Sequence, residues 1–146
     1  MLIRQATRSD LEAVLKIENS SFEAERFHRS QLLYLISKAQ GLFLVLELEG
    51  KIAGYISILT NKRYHSLRIY SIAIDPSRRG QKLAQELIEK AVDYARQLHL
   101  PAVSLEVNTE NSSAIALYIR NGFNAVEILE DYYGKGENAL KMIRQL

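Results

Sequence analysis

The sequence predicts an α/β protein with one mixed sheet, in which an antiparallel meander is followed by a central splayed parallel strand pair with flanking helices. Two observations lead to this fold class. Apolar runs at 42–48 and 52–59 meet at a Glu-Gly pair, a pattern typical of an antiparallel hairpin. Farther along, the pattern predicts a strand at 66–74, a helix at 83–98 and a second strand at 102–108. Such a crossover joins parallel strands and is right-handed in nearly all proteins.

The first forty residues are predicted to supply one strand and two helices. Residues 2–6 alternate weakly and form the first strand. Thr7, with Asp10 three residues later, has the pattern of a helix cap. The helix that follows turns three apolar side chains inward, namely Leu11, Val14 and Leu15. A second short helix begins at Ser30 and carries the apolar residues Leu32, Leu33, Leu35 and Ile36.

After the hairpin, the strand at 66–74 completes the meander, and the helix at 83–98 is strongly amphipathic. Its apolar side chains recur at helical spacing: Leu83, Ala84, Leu87, Ile88, Ala91, Val92, Ala95 and Leu98. The remaining predicted elements are a strand at 102–108, a helix at 112–121, a strand at 123–129 and a last strand at 138–144.

Composition excludes several classes of function. The 146 residues, 47% hydrophobic, predict a single domain spanning 1–146. The longest apolar run is only 42–46 and the first residues lack a signal pattern, so we expect a cytoplasmic protein without a membrane span. The absence of Cys excludes disulfides and a Cys nucleophile, and three isolated His residues predict no metal site. A net charge of +2 does not indicate nucleic-acid binding.

A basic turn at 75–84 joins a buried strand to the amphipathic helix. The first N–H groups of a helix have no intrahelical partner and carry partial positive charge, so they can bind an anion through the backbone. Arg78, Arg79 and Lys82 add full charges beside Gly80. The turn has neither a P-loop ending nor the three glycines of a dinucleotide motif. It predicts a phosphate site, with an ordinary solvated helix start as the alternative.

A second stretch, 105–123, reads as strand, polar turn, short helix and an Asn-Gly stop. The two stretches together resemble the GNAT superfamily of acetyl-CoA-dependent N-acetyltransferases. Arg79, Lys82 and Ala84 occupy the places of its pyrophosphate-loop motif. The second pattern is matched at Asn111, Ala114, Leu117, Tyr118, Gly122 and Phe123. Within the superfamily the chain is most like the bacterial ribosomal-protein-alanine N-alpha-acetyltransferases, because it also matches their pattern at 105–107, 131–133 and 137–142. The resemblance covers nearly the whole chain.

The resemblance implies a mixed sheet whose parallel strands splay, so that the pantetheine arm of acetyl-CoA enters between them. It implies acetyl-CoA as cosubstrate and no metal. The cofactor contacts that it implies are Ile72, Ala73, Ile74, Arg79, Gly80, Gln81, Lys82, Leu83, Ala84 and Asn111. Asn111 also fits the ordinary role of an N-cap.

Two residues are candidates for the proton transfers that acetylation of an amine requires. Glu106 lies on the strand face opposite Val103, Leu105 and Val107, so it should line the site and act as general base. Tyr118 is the candidate acid for the leaving thiolate, because a phenol stays protonated at neutral pH. The alternatives are a solvated carboxylate for Glu106 and a core tyrosine for Tyr118.

One departure from the family pattern concerns the pyrophosphate loop, where Lys82 stands in the usual place of a glycine. A left-handed backbone at this position would cost a non-Gly residue about 1 to 2 kcal/mol, whereas a right-handed one would cost nothing. Since the loop acts through backbone N–H groups, we expect binding to survive.

The acceptor is less specified than the cofactor. Tyr132 and Tyr133 match acceptor-side tyrosines of the family, although paired tyrosines also occur as packing residues. The region 21–27 lacks the Pro and Trp of the family's acceptor loop. The leading hypothesis is acetylation of a protein N-terminus, such as that of a ribosomal protein. A second interpretation keeps the cofactor and changes the acceptor to a protein lysine or a polyamine; Glu18, Glu23 and Glu25 could supply the acidic pocket that a polyamine requires. A third is a non-catalytic acyl-CoA-binding module, against which the presence of both Glu106 and Tyr118 argues.

Overall fold

The computed structural model describes residues 1–21, 29–37, 41–60 and 65–146. Through this part of the chain runs one sheet of seven strands in the order β1-β2-β3-β4-β5-β7-β6. The strands are β1 (Leu2–Gln5), β2 (Gly41–Leu48), β3 (Lys51–Leu59), β4 (Leu67–Ile74), β5 (Ala102–Asn108), β6 (Asn124–Gly134) and β7 (Glu137–Gln145). The helices are α1 (Leu11–Ser21), α2 (Arg29–Ser37), α3 (Leu83–Gln97) and α4 (Ser112–Arg120), with 3₁₀ turns at Arg8–Asp10 and Pro76–Arg78. None of these helices is long and apolar enough to cross a membrane.

The predicted fold class is confirmed. Strands β1 to β4 pair antiparallel in sequence order, and β4 pairs with β5 in parallel after the crossover through α3. Strand β7 then lies between β5 and β6, antiparallel to both. Both faces of the sheet carry apolar side chains that are buried by helices. Helix α3 packs on one face, and α1 and α2 pack on the other.

The parallel pair splays after a short contact. Only three residue pairs join β4 to β5, from Leu67↔Val103 to Ile69↔Leu105. At the same point the ladder between β3 and β4 shifts, since Ile58 pairs with Ile69 but Ser57 pairs with Ser71. Tyr70 is therefore the extra residue of a β-bulge, and a bulge bends the strand that carries it. Beyond Ile69, β4 leaves β5 and a gap opens between them.

The predicted end of the sixth strand at 129 is wrong, because β6 continues to Gly134. Its ladder with β7 is interrupted between Leu129↔Ala139 and Gly134↔Glu137, so 130–133 depart from regular pairing. Asp131 has a left-handed φ of 55°. Its N–H donates to the Asn138 side chain at 2.9 Å, and its carboxylate accepts from Gly136 N at 2.7 Å. These bonds fix the segment that carries the two candidate acceptor tyrosines.

The predicted cap before α1 is confirmed. Thr7 N–H donates to the Asp10 carboxylate at 2.7 Å. Arg4 of β1 donates to both Asp10 oxygens, at 2.8 and 2.9 Å, and to Glu47 of β2. These hydrogen bonds from Arg4 keep the pKa of Asp10 below its ordinary value. The start of α1 is thereby tied to the sheet.

Candidate active site

A cleft of about 1340 Å³ opens where β4 and β5 separate. Strands β4 and β5, the turn before α3, the first turn of α3, helix α4 and the bulged end of β6 all contribute to its lining. The cleft brings together most of the predicted site residues: Ile72, Ala73, Ile74, Arg79, Gly80, Lys82, Leu83, Ala84, Glu106, Asn111, Tyr118, Tyr132 and Tyr133. Gln81 lies in the same turn but is exposed and outside this lining.

The turn before α3 is shaped by its own backbone and side chains. The Asp75 carboxylate accepts hydrogen bonds from Ser77 N at 3.0 Å and Ser77 Oγ at 2.9 Å, which lower the pKa of Asp75. Gly80 has a φ of 84°, and Lys82, the N-cap of α3, has φ 59° and ψ 24°. Of the two backbone states that the sequence left open for Lys82, the left-handed one is therefore present. Its cost is about 1 to 2 kcal/mol.

The amides after Lys82 point out of the helix start. The first bond of α3 runs from Glu86 N to Lys82 O, at 3.3 Å, so the N–H groups of 83–85 precede the helical ladder. Arg79 and Lys82 lie beside them in the cleft lining. Arg78 also lines the cleft and donates to Glu49 at 3.2 Å. This end of the cleft can hold a diphosphate through backbone donors and nearby cations.

The middle of the cleft follows the free stretch of β4. Residues 72–74 pair with β3 on one side but lie beyond the last parallel pair with β5. Asn111 faces them from the start of α4, where its Oδ1 accepts from Ala114 N at 3.2 Å. The alternative role of Asn111 as an N-cap is thus present in the structure, and its amide nitrogen is the group that can donate to a ligand.

Tyr118 combines core packing with a place on the cleft wall. It is 8% exposed, and its ring meets Phe123 edge-on with 5.9 Å between centroids. Burial raises the pKa of Tyr118 to about 12. The phenol therefore keeps its proton throughout the neutral range and can donate it inside the cleft.

Glu106 lies as predicted on the β5 face opposite the buried Val103, Leu105 and Val107. It is not a solvated carboxylate, because its side chain is only 15% exposed. Its Oε2 accepts a hydrogen bond from Arg68 Nε at 3.0 Å. The carboxylate is therefore held in a fixed position on the cleft wall.

Arg68 is a charged cleft residue that was not among the residues predicted from the sequence. Its Nη2 donates to the Tyr132 hydroxyl at 2.7 Å, and its guanidinium carbon lies 5.1 Å from the Tyr70 ring centroid. Burial raises the pKa of Tyr132, so this hydroxyl stays protonated near neutral pH. The available signal was an arginine between the apolar Leu67 and Ile69 of a strand, which places it on the face that Glu106 shares.

A second carboxylate reaches the cleft from α1. Glu18 is 1% exposed and accepts a hydrogen bond from the Tyr55 hydroxyl, which also contacts Ser71 Oγ at 2.9 Å. Burial, and then the charge of Glu18, raise the pKa of Tyr55 well above its ordinary value. Glu18 lies four residues after the inward-facing Val14 in the same helix, and this spacing was the signal in the sequence that the glutamate also points inward. Of the predicted acceptor region 21–27, everything after Ser21, including Glu23 and Glu25, lies outside the described residues.

Comparison with known proteins gives the family. The model of the Acetyltransferase (GNAT) family matches residues 11–123. A Bacillus subtilis (strain 168) protein, provisionally named a ribosomal protein bS18-alanine N-acetyltransferase, is 33% identical over 96% of this chain and 92% of its own. A Sulfolobus acidocaldarius N-alpha-acetyltransferase is 30% identical over 99% of this chain and 92% of its own.

The fold agrees with these relatives. The crystal structure of the Escherichia coli ribosomal-protein-S18-alanine N-acetyltransferase superposes with a TM-score of 0.84 at 26% identity, covering 99% of this chain and 92% of that one. Within the described ranges, no group of three or more His, Cys, Asp or Glu residues could hold a metal ion. The family match covers most of the chain, and the sheet, the splayed strands and the basic helix start all accord with it. This chain therefore belongs to the GNAT family and is an acetyl-CoA-dependent N-acetyltransferase.

Proposed function

We propose that this enzyme acetylates the α-amine of a protein N-terminus, such as that of a ribosomal protein. The observation that carries the proposal is that Glu106 and Tyr118 line one cleft whose far end is the basic start of α3. The names of the bacterial and archaeal relatives support a protein N-terminus as the acceptor class.

Acetyl-CoA is proposed to lie along the cleft. Its diphosphate meets the N–H groups at Leu83 and Ala84, with Gly80 allowing the close turn and Arg79 and Lys82 supplying charge. Gln81 is proposed to contribute the backbone of the same turn, because its side chain is exposed. The pantetheine amides then run beside the unpaired edge of 72–74, where Ile72, Ala73 and Ile74 act through the backbone. The Asn111 amide nitrogen donates to the same arm.

At the thioester, the acceptor nitrogen attacks the carbonyl carbon. The C–N bond forms as the C–S bond breaks, and acetyl passes from sulfur to nitrogen. Glu106 takes the proton of the amine directly or through one water, and Tyr118 gives its proton to the departing thiolate. Tyr118 suits this role because it enters the cleft protonated, with a pKa of about 12. Each turnover leaves CoA and the acetylated amine. The proton held by Glu106 then passes through water to the Tyr118 phenolate, which returns both groups to their starting state.

The acceptor end is proposed to be formed by Tyr132 and Tyr133. Their rings meet at right angles with 5.0 Å between centroids, on the segment of β6 that leaves the ladder. Both residues line the cleft on the side of Glu106. An extended N-terminal peptide would place its amine at Glu106 and its first side chains against these rings.

A direct test is acetylation of a library of peptides with free N-termini, beside N-terminally blocked lysine peptides and spermidine. We expect the free N-termini to be acetylated with the highest kcat/KM, including an alanine-starting ribosomal sequence. Preference for lysine peptides or spermidine would contradict the proposed acceptor. Binding of acetyl-CoA in calorimetry without turnover on any amine would instead indicate a non-catalytic acyl-CoA-binding module.

A further inference from the structure

The acceptor end of the cleft contains an arginine that joins three strands. Arg68 belongs to β4, its partner Glu106 to β5 and its partner Tyr132 to β6. In the sheet order, β7 lies between β5 and β6, so Tyr132 reaches Arg68 only because 130–133 leave the β6–β7 ladder. The bulged segment thus completes a contact that regular pairing would prevent.

Three contacts fix the Arg68 guanidinium. Nε donates to Glu106, Nη2 donates to Tyr132, and the face of the group lies over the Tyr70 ring. A planar guanidinium offers several donors in fixed directions, so one arginine can orient a carboxylate and a phenol together. Lysine, with a single charged nitrogen on a flexible stem, cannot hold both with the same geometry.

We propose that Arg68 positions Glu106 and selects acceptors whose amine has a pKa near neutral and so loses its proton readily near pH 7; the inference rests on the proposed role of Glu106 as base. The pair of Arg68 and Glu106 has no net charge. A lone carboxylate would attract ammonium ions of every kind, but the paired carboxylate gives them little net attraction. The other carboxylate of the described lining, Glu18, is 1% exposed and accepts from Tyr55. On the face that carries Glu106, Lys141 of β7 lies directly across from it and adds a second positive charge beside Arg68, which further disfavours ammonium ions.

Amines differ greatly in the fraction that is neutral. At pH 7.5, about one third of an α-amine with a pKa near 7.8 is neutral, but only about one in 800 lysine side chains with a pKa near 10.4. A site that does not concentrate ammonium ions therefore favours an N-terminus by a few hundred-fold before any other contact. A polyamine, which carries several charges, gains even less from a site that also contains an arginine.

The experiment compares Arg68→Met and Arg68→Lys with wild type at pH 7.5. The substrates are an alanine-starting peptide without lysine, a blocked peptide with one lysine, and spermidine. We expect Arg68→Met to lower kcat/KM for the free N-terminus about 10-fold, with the loss mainly in kcat, and to lower the ratio of α-amine to lysine activity by at least about 10-fold. Arg68→Lys keeps the positive charge but not the planar guanidinium that donates to two partners. The ratio of α-amine to lysine activity should therefore return to within about 3-fold of wild type, while kcat stays reduced.

Two controls separate positioning from stability. Arg4→Met removes an arginine whose partners, Asp10 and Glu47, lie outside the cleft lining, and it should leave the ratio unchanged. The ratio is measured on one preparation, so a loss of folded enzyme cancels. In a Glu106→Gln background, Arg68→Met should cost little more, because its effect passes through Glu106.

The possible results decide between the two proposals. A wild type that prefers free N-termini, combined with an Arg68→Met ratio within about 2-fold of wild type, would overturn the inference on Arg68 and leave the proposed function standing. If Arg68→Met also lowered kcat/KM by about 10-fold in the Glu106→Gln background, its effect would not pass through Glu106, and the positioning role would likewise be overturned. Wild-type preference for lysine or spermidine would overturn both proposals.

Discussion

The two ends of the cleft are built in different ways. At the α3 end, the groups proposed to bind the diphosphate come from one stretch, 75–84, and most of them are backbone N–H groups. At the acceptor end, the groups come from β4, β5 and β6 and are side chains held by one another. A backbone site tolerates changes of residue type if the turn keeps its shape, whereas a side-chain site depends on single atoms. The proposed chemistry is therefore expected to be more sensitive to substitution than cofactor binding.

The largest effect is expected for Tyr118→Phe, which removes the proposed proton donor and keeps the ring that packs on Phe123. Turnover should fall by about 10² to 10⁴-fold, the usual contribution of a positioned acid. Acetyl-CoA affinity and the melting temperature should change little. Steady-state kinetics beside thermal melts would measure this, and a destabilised variant with normal turnover per folded molecule would make Tyr118 a core residue only.

The pH dependence sharpens this prediction. Burial raises the pKa of Tyr118 to about 12, so the phenol stays almost fully protonated up to about pH 10. Its donor capacity is lost only as the pH rises through that range. Any fall in wild-type activity between pH 8 and 10 must come from another group, and Tyr118→Phe should leave the position of such a limb unchanged.

A smaller loss is expected for Glu106→Gln. The amide keeps the size of the side chain but cannot accept a proton, so turnover on a free N-terminus should fall about 10² -fold at pH 7. As the pH rises past the α-amine pKa of about 7.8, the amine loses its proton without help and part of the activity should return. A pH series of kcat/KM checks this, and wild-type turnover at pH 7 would exclude Glu106 as base.

At the α3 end, Arg79→Ala should weaken CoA by about 10-fold, because it removes one charge-assisted contact and leaves the backbone donors. A pantetheine fragment without phosphates should bind both proteins equally. Calorimetry with the two ligands measures the difference. Equal losses for CoA and the fragment would place Arg79 away from the phosphates and break the proposed division of the cleft.

The smallest effect is expected for Lys82→Gly. Glycine relieves the left-handed strain of about 1 to 2 kcal/mol. It also loses about 0.5 to 1 kcal/mol through unfolded-chain entropy, so the net stability should rise slightly. CoA affinity should stay within about 3-fold at physiological salt, since a single exposed charge contributes little there. Lys82→Ala is the matched control, because it removes the charge but keeps the strain. A large loss of affinity in both variants would show that the side chain, not the backbone, binds the phosphates.

The same contrast explains how much could be predicted. The turn at 75–84 and the segment from Asn111 to Tyr118 are contiguous, so local pattern and family resemblance found them. Alternation along β5 was enough to place Glu106 on its face. The partner of Glu106 was not predictable, because alternation gives the face of Arg68 but only the parallel register brings it next to Glu106.

Two further features depended on tertiary structure. The strand was predicted to end at 129, yet β6 continues to Gly134, where hydrogen bonds between Asp131 and the Asn138 and Gly136 groups hold the irregular segment. The left-handed state of Lys82 also could not be chosen from sequence, since an isolated lysine prefers the right-handed one. The surrounding turn imposes it.

The short parallel contact between β4 and β5 also has a consequence for cohesion. Only three backbone residue pairs join β4 to β5, beside the α3 crossover and the Arg68–Glu106 ion pair, so an extended ligand with its own amides would add hydrogen bonds where the two strands separate. At a concentration 100 times its Kd, such a ligand stabilises the native state by about 2.7 kcal/mol. Hydrogen exchange should show this as slower exchange of amides in 70–74 when CoA is added, with the β2–β3 hairpin unaffected. The unliganded enzyme would then be the less protected form at 70–74, and each release of CoA would return the edges of β4 and β5 beyond Ile69 to their unpaired state.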